Sequence, residues 1–242
     1  MPILPELLEQ LKFISPEAFL LGLFFSGAVV LVVRDWRFLI LALLLQYIIA
    51  GLILSRLVRP DLAALKMMIG TFVCPILFLS VRQVGSILPP AINVEVEAPP
   101  SRFKWVNSWR KTVAVVRPFL VGRNRHRGLV RTGFVFRLLA ALLMMLAASL
   151  LSQMVTLPGL PLNVTTAVYW LLLAGFVTLS LNEDPLKVGL GLFMVFIGFD
   201  LFYTPLESGL LMTGLWGSVN LLVALAVGYL IVAKGAIPEE DL

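Results

Sequence analysis

Apolar residues in this chain fall into long runs broken by short polar links. A helix rises about 1.5 Å per residue, so roughly 20 apolar residues cross the hydrocarbon core of a bilayer. By that measure the sequence predicts seven helical spans, at about residues 17–34, 37–56, 61–81, 131–153, 163–181, 186–204 and 208–233. The links Asn182-Glu183-Asp184-Pro185 and Thr204-Pro205-Leu206-Glu207 are so short that the helices they join must be antiparallel neighbours. Proline suits the start of the following helix, where its missing N–H would have had no partner. The third span is the least uniform, because it contains Lys66. The expected fold is an all-α polytopic transmembrane helix bundle of about seven helices, with a basic loop between the third and fourth. It divides into a three-helix membrane segment (1–82), the basic loop (83–130) and a four-helix membrane segment (131–242).

Composition strengthens the membrane reading. Hydrophobic residues make up 60% of the 242 positions and charged residues 14%, whereas a soluble domain runs near 45–50% apolar. The charges collect between the apolar runs, where headgroups and water would meet them. The net charge of +5 would suggest nucleic acid in a soluble chain. Here the basic residues lie beside the membrane, so anionic lipid is the expected partner and nucleic acid is not. Segment 82–131 alone holds ten lysines and arginines against Glu95 and Glu97. With Arg34, Arg37, Lys187 and Lys234 on the same side of a seven-helix count, the positive-inside rule places that side in the cytoplasm. The expectation is a prokaryotic inner-membrane protein with its N-terminus outside and its C-terminus and basic loop cytoplasmic. Arg56 and Arg59 run against that bias. Glu6, Glu9 and Glu17 precede the first apolar run, so that run is not expected to be a cleaved signal peptide, which requires a basic start.

Within the basic segment, Pro89, Pro90, Pro99 and Pro100 bracket the alternating stretch Ile92–Glu97, which has the pattern of a short strand. Beyond it, Trp105, Trp109, Val113 and Val116 recur at helical spacing, flanked by Lys104, Arg110 and Lys111. Tryptophans beside basic residues predict a helix lying in the headgroup layer. The same residues would also make a docking surface for a soluble partner.

Recognisable catalytic chemistry is absent from the sequence. It contains no nucleotide-binding loop, dinucleotide fingerprint or zinc motif, and no cofactor is expected. Cys74 is the single cysteine and lies in an apolar run, which excludes an intrachain disulfide and predicts a packed thiol. His126, the single histidine, sits among arginines. The glycines of the last two spans (Gly189, Gly191 and Gly198, then Gly209, Gly214 and Gly217) predict close helix packing.

Ionisable groups inside lipid spans are more informative, because an unpaired charge there is costly and normally faces protein or water. Lys66 lies about a turn and a half into the third span, either snorkelling, paired with Asp61, or part of a proton or ion relay. Asp200 is the one carboxylate well inside an apolar run, near the end of the sixth span. Gln46, beside Tyr47, and Asn220 are amides expected to bond across helices. Arg137, near the start of the fourth span, is expected to snorkel toward the basic side.

The runs Leu45-Gln46-Tyr47, Leu65-Lys66-Met67-Met68-Ile69-Gly70 and Cys74-Pro75-Ile76-Leu77 place a glutamine in one helix, a lysine in the next, and a proline nine residues after it. This resembles the E-type membrane subunit of group 4 hydrogenases. That subunit is related in its C-terminal part to the small K-type subunit of respiratory complex I and to the C-type subunit of multisubunit cation/proton antiporters. The polar turn Asn182 to Lys187, the glycine-bearing helix Gly189 to Gly198 and the last helix Gly217 to Gly228 are similar as well. The resemblance covers most of the chain outside 84–128. It departs where the family carries glutamate, asparagine and glycine, since this chain has Phe196, Ile197 and Gly198. Asp200 follows Phe196 by four residues, on the same helix face. In the last helix only Ser218 or Asn220 stands where relatives have an acid.

The resemblance implies a non-catalytic membrane subunit of a proton- or cation-translocating respiratory or hydrogenase-type complex. Its partners would be large antiporter-like membrane subunits, with Lys66, Asp200, Gln46 and Asn220 as relay candidates. The alternatives are a stand-alone scaffold or assembly protein docking through the tryptophan-bearing loop, and a small transporter. An enzyme acting alone is disfavoured, because no nucleophile with a base, paired carboxylates or metal ligands converge at credible spacing.

Overall fold

The computed structural model describes residues 16–87, 133–207 and 209–236, and these residues form seven α-helices with no strand among them. They are α1 (Pro16–Val32), α2 (Trp36–Leu57), α3 (Pro60–Ile87), α4 (Phe134–Met154), α5 (Leu162–Leu181), α6 (Pro185–Leu206) and α7 (Leu210–Ala236). The predicted spans match these elements to within a few residues, except that α3 runs on to Ile87. Helices α2 to α7 are each long and apolar enough to cross a membrane. Helix α1 has 17 residues and rises about 25 Å, a few ångströms short of the roughly 30 Å hydrocarbon core. The chain is an integral membrane protein with an all-α polytopic bundle.

Local chemistry sets the helix ends. The Asp35 carboxylate accepts from the Arg37 N–H at 3.1 Å and caps α2, satisfying a donor that the first turn leaves open. Pro60 and Pro185 open α3 and α6, where a proline costs no hydrogen bond. Val58 and Val155 turn extended after α2 and α4, each still donating its N–H to the carbonyl four residues back. Pro75 lies inside α3.

The helices stack in two layers. One holds α1, α2 and α3 in chain order, the other α4, α5, α6 and α7. Across the layers α1 faces α4 and α5, α2 faces α6, and α3 faces α7. Two membrane faces follow. The proximal face carries the links 58–59, 155–161 and 207–209, and the distal face carries the links 33–35 and 182–184. Contacts between helix ends agree with this. On the distal face the Lys187 ammonium donates to the Val33 carbonyl at 2.9 Å, and Arg137 to Asn182 Oδ1 at 3.2 Å. On the proximal face Thr166 donates to Ser152 at 2.8 Å.

Lipid tails are as apolar as leucine, so helices in a bilayer associate by close packing and hydrogen bonds more than by the hydrophobic effect. The α5–α6 seam shows the first. A Cβ on Gly175 would lie 2.8 Å from the Gly191 carbonyl oxygen, and one on Gly191 would lie 3.0 Å from that of Gly175. Glycine at both positions lets the two backbones touch. Gly189, Gly198 and Gly217 likewise pack against Val227, Leu171 and Ile69, as the sequence predicts, whereas Gly214 has open space beside it. Trp170 supplies the second kind of contact: its indole N–H donates to the Leu23 carbonyl at 3.2 Å, tying α5 to α1. Outward-facing Leu21, Phe25, Leu142 and Leu222 are well exposed on the bundle surface, as lipid contact requires.

Candidate functional site

Helix arithmetic brings two charges to one level. Lys66 lies six residues after the start of α3, and Asp200 six residues before the end of α6. Both helix ends are on the proximal face, so both side chains sit about 9 Å inside it. The Lys66 ammonium donates to Asp200 Oδ1 at 2.6 Å. The residues are 5% and 7% exposed, so the pair is an intramembrane one. Asp61 is exposed in the first turn of α3, and it is not the partner of Lys66. The stem of Lys66 turns inward toward α6 instead of snorkelling. Asp200, close to its helix end, is nevertheless buried, because α3 and α7 pack over it.

The pair lines a cavity of about 120 Å³ with Phe199, Tyr203 and Thr204 of α6, Glu207 just past its end, and Met212, Thr213 and Trp216 of α7. On α6, positions 200, 203 and 204 recur at helical spacing and form one stripe, which Glu207 continues at the helix cap. Tyr203 donates its hydroxyl to Glu207, which caps the end of α6. Trp216 forms the opposite wall, with its ring centroid 5.1 Å from that of Phe199 and 5.4 Å from that of Phe196. Phe196, one turn before Asp200 on α6, thus packs on the Trp216 wall of the same cavity. The Trp216 indole N–H is buried and has no hydrogen-bond partner among the described residues.

One turn deeper lies a second polar contact. Tyr47 of α2 donates to Asn220 Oδ1 of α7 at 3.2 Å, and the Asn220 amide donates to the Trp216 carbonyl at 2.9 Å. Tyr47 packs directly on Gly70 of α3, which leaves no room for a Cβ there. Gly70 follows Lys66, and Asn220 follows Trp216, by one helical turn on the same face. Asn220 thus belongs to the neighbourhood of the pair, as the sequence predicts. Gln46 points elsewhere than its neighbour Tyr47: its side chain is fully buried, and neither amide atom has a partner among the described residues. Ser218 is exposed and bonds back to Gly214. Cys74 is buried, its thiol 3.9 Å from the Ile40 carbonyl.

Arg137 lies on the side the sequence indicates. It is 8% exposed and donates to Asn182 in the distal link. The interfacial candidates Lys104, Trp105, Trp109, Arg110 and Lys111, the stretch Ile92–Glu97 and His126 lie outside the described residues. Among the described residues no three histidine, cysteine or carboxylate side chains gather to hold a metal ion. Sequence reasoning missed Tyr203, Thr204, Glu207, Thr213 and Trp216. The stripe at 200, 203, 204 and 207 was the available signal, and it was hidden because Thr204 to Glu207 read as a link.

The fold and the buried pair define the class: a polytopic helical membrane protein with an ion pair inside its bundle. Comparison with known proteins gives no matching family model, no matching curated protein and no matching solved structure. The functional reading therefore rests on the site itself.

Proposed function

We propose that this chain is a non-catalytic membrane subunit of a proton- or cation-translocating complex of the respiratory or hydrogenase type, with the Lys66–Asp200 pair as its intramembrane relay. The observation that carries the reading is the pair itself, 2.6 Å apart and bridging α3 to α6. Two charges are a poor way to join two helices. Taking them out of water costs several kcal/mol each, and well-packed apolar residues often do as well or better. Ionisable groups inside a bundle accordingly mark ion pathways and proton relays more often than structural joints. A proton moving onto Asp200 would leave Lys66 without a counter-charge and favour its release of a proton in turn. Tyr47 and Asn220, one turn deeper, supply a hydroxyl and an amide next along the seam.

The orientation that accompanies this reading puts the distal face in the cytoplasm, following the positive-inside bias of residues 82–131. The test is Lys66→Ala with Asp200→Asn in the assembled, membrane-reconstituted complex. Proton pumping is expected to fall to the leak rate. Unchanged pumping would leave the chain a scaffold. Purification in mild detergent supplies the accompanying check, because the reading requires large antiporter-like subunits to co-purify.

A further inference from the structure

The polar groups around the pair are distributed unequally between the two membrane faces. Toward the proximal face lie the cavity, the exposed Glu207 carboxylate and the hydroxyls of Tyr203, Thr204 and Thr213. Toward the distal face, past Tyr47 and Asn220, the same four helices present Leu43, Val73, Leu77, Phe193 and Ala224, all 0% exposed, and the fully buried Gln46 of α2, beside Tyr47, adds an amide at their edge. Leu77 is seven residues beyond Gly70, the level of Tyr47, on α3, so this apolar plug is about 10 Å deep. The cavity has room for several waters. The buried Trp216 N–H, unpartnered among the described residues, is a donor that such a water would satisfy. The ionisable groups facing the cavity are Asp200 and Tyr203 from α6, Glu207 from its cap and Lys66 from α3, while α7 contributes none and α2 contributes Tyr47 behind the pair. Two carboxylates against one ammonium leave the vestibule negative. A cleft with net negative charge concentrates cations.

We propose that the Lys66–Asp200 pair is reached from the proximal face only, through a hydrated vestibule that admits small hydrated cations, hydronium among them, past Glu207 at its mouth. The relay reading supplies the purpose of this route, and the proposal rests on it for that alone. The vestibule, its side and its charge preference are properties that hold or fail without any pumping activity.

Cysteine accessibility tests it in the full chain, in membrane vesicles. Cys74 is the sole native cysteine and is buried, so the background is low. Thr204→Cys at the floor and Met212→Cys near the mouth probe the vestibule, and Leu77→Cys probes the plug. The exposed link residues Thr156 and Glu183, each replaced by cysteine, mark the proximal and distal faces independently of any charge rule. A membrane-impermeant methanethiosulfonate is expected to modify both vestibule cysteines in the vesicles where Thr156→Cys reacts, and not in those of opposite sidedness where Glu183→Cys reacts. Leu77→Cys should react in neither. At Thr204→Cys the cationic reagent should react about tenfold faster than the anionic one, the low end of electrostatic focusing by a charged cleft, and Glu207→Gln should reduce that preference. Modification from the distal side, modification only by a lipid-soluble reagent, no modification at either vestibule position, or a faster anionic reagent would each overturn the proposal. Loss of pumping in the relay double variant with no vestibule labelling would retain the relay and reject this route.

Discussion

Replacing Asp200 with alanine leaves the Lys66 ammonium about 9 Å inside the bundle without its one hydrogen-bonding partner among the described residues. Breaking a buried pair on one side costs about 3–5 kcal/mol, because the remaining charge stays desolvated. The adjoining cavity can hydrate the amine in part, which puts the expected loss for Asp200→Ala near the lower end, about 3 kcal/mol. Lys66→Met should cost a similar amount while Asp200 stays charged. Removing both charges, as in Lys66→Met with Asp200→Leu, should return stability to within about 1 kcal/mol of the parent, since apolar residues of similar volume replace a buried pair without penalty. Unfolding of the parent, Lys66→Met, Asp200→Leu and the double variant in mixed micelles of rising SDS fraction, followed by circular dichroism, gives the four corners of the double-mutant cycle, with Asp200→Ala measured beside them. The reasoning fails if Asp200→Ala lies within about 1 kcal/mol of the parent, or if the double variant is less stable than both singles.

Two further outcomes follow from the packing. Gly175→Val puts a branched side chain into the Gly191 backbone, 2.8 Å from its carbonyl oxygen already at the Cβ; it should destabilise the bundle by at least 1–3 kcal/mol, the usual range for overpacking, read as a lower SDS midpoint. Tyr47→Phe removes the donor to Asn220 Oδ1 and leaves a buried acceptor unsatisfied; about 1–3 kcal/mol should be lost in the same unfolding assay, and Tyr47→Phe with Asn220→Leu should recover part of it.

The helices were legible because a bilayer imposes one length and one polarity on whatever crosses it. The apolar runs alone place α2 and α4 to α7 within a few residues. Lys66 and Asp200 stood out for the same reason, as charges where lipid tolerates few. Their pairing was not legible, because it joins positions 134 residues apart and depends on α3 and α6 both packing on α7. The sequence did hold half of the answer: six residues from one helix start and six from another helix end give equal depth once the topology alternates. Asp61 looked the nearer partner for Lys66 in sequence, but it points into solvent from the first turn. Arg137 read as a cation reaching toward the basic side, and its hydrogen bond to Asn182 in the distal link is a contact that no local pattern reveals. Trp216 read as one more aromatic in an apolar helix. Its place opposite Asp200 comes from the packing of α6 on α7, which sequence spacing does not specify.

Proton pumping by the reconstituted complex carrying Lys66→Ala and Asp200→Asn tests the account at its centre. The account predicts that pumping falls to the leak rate while the complex still assembles. Pumping at the parent rate in that assembled complex would contradict it.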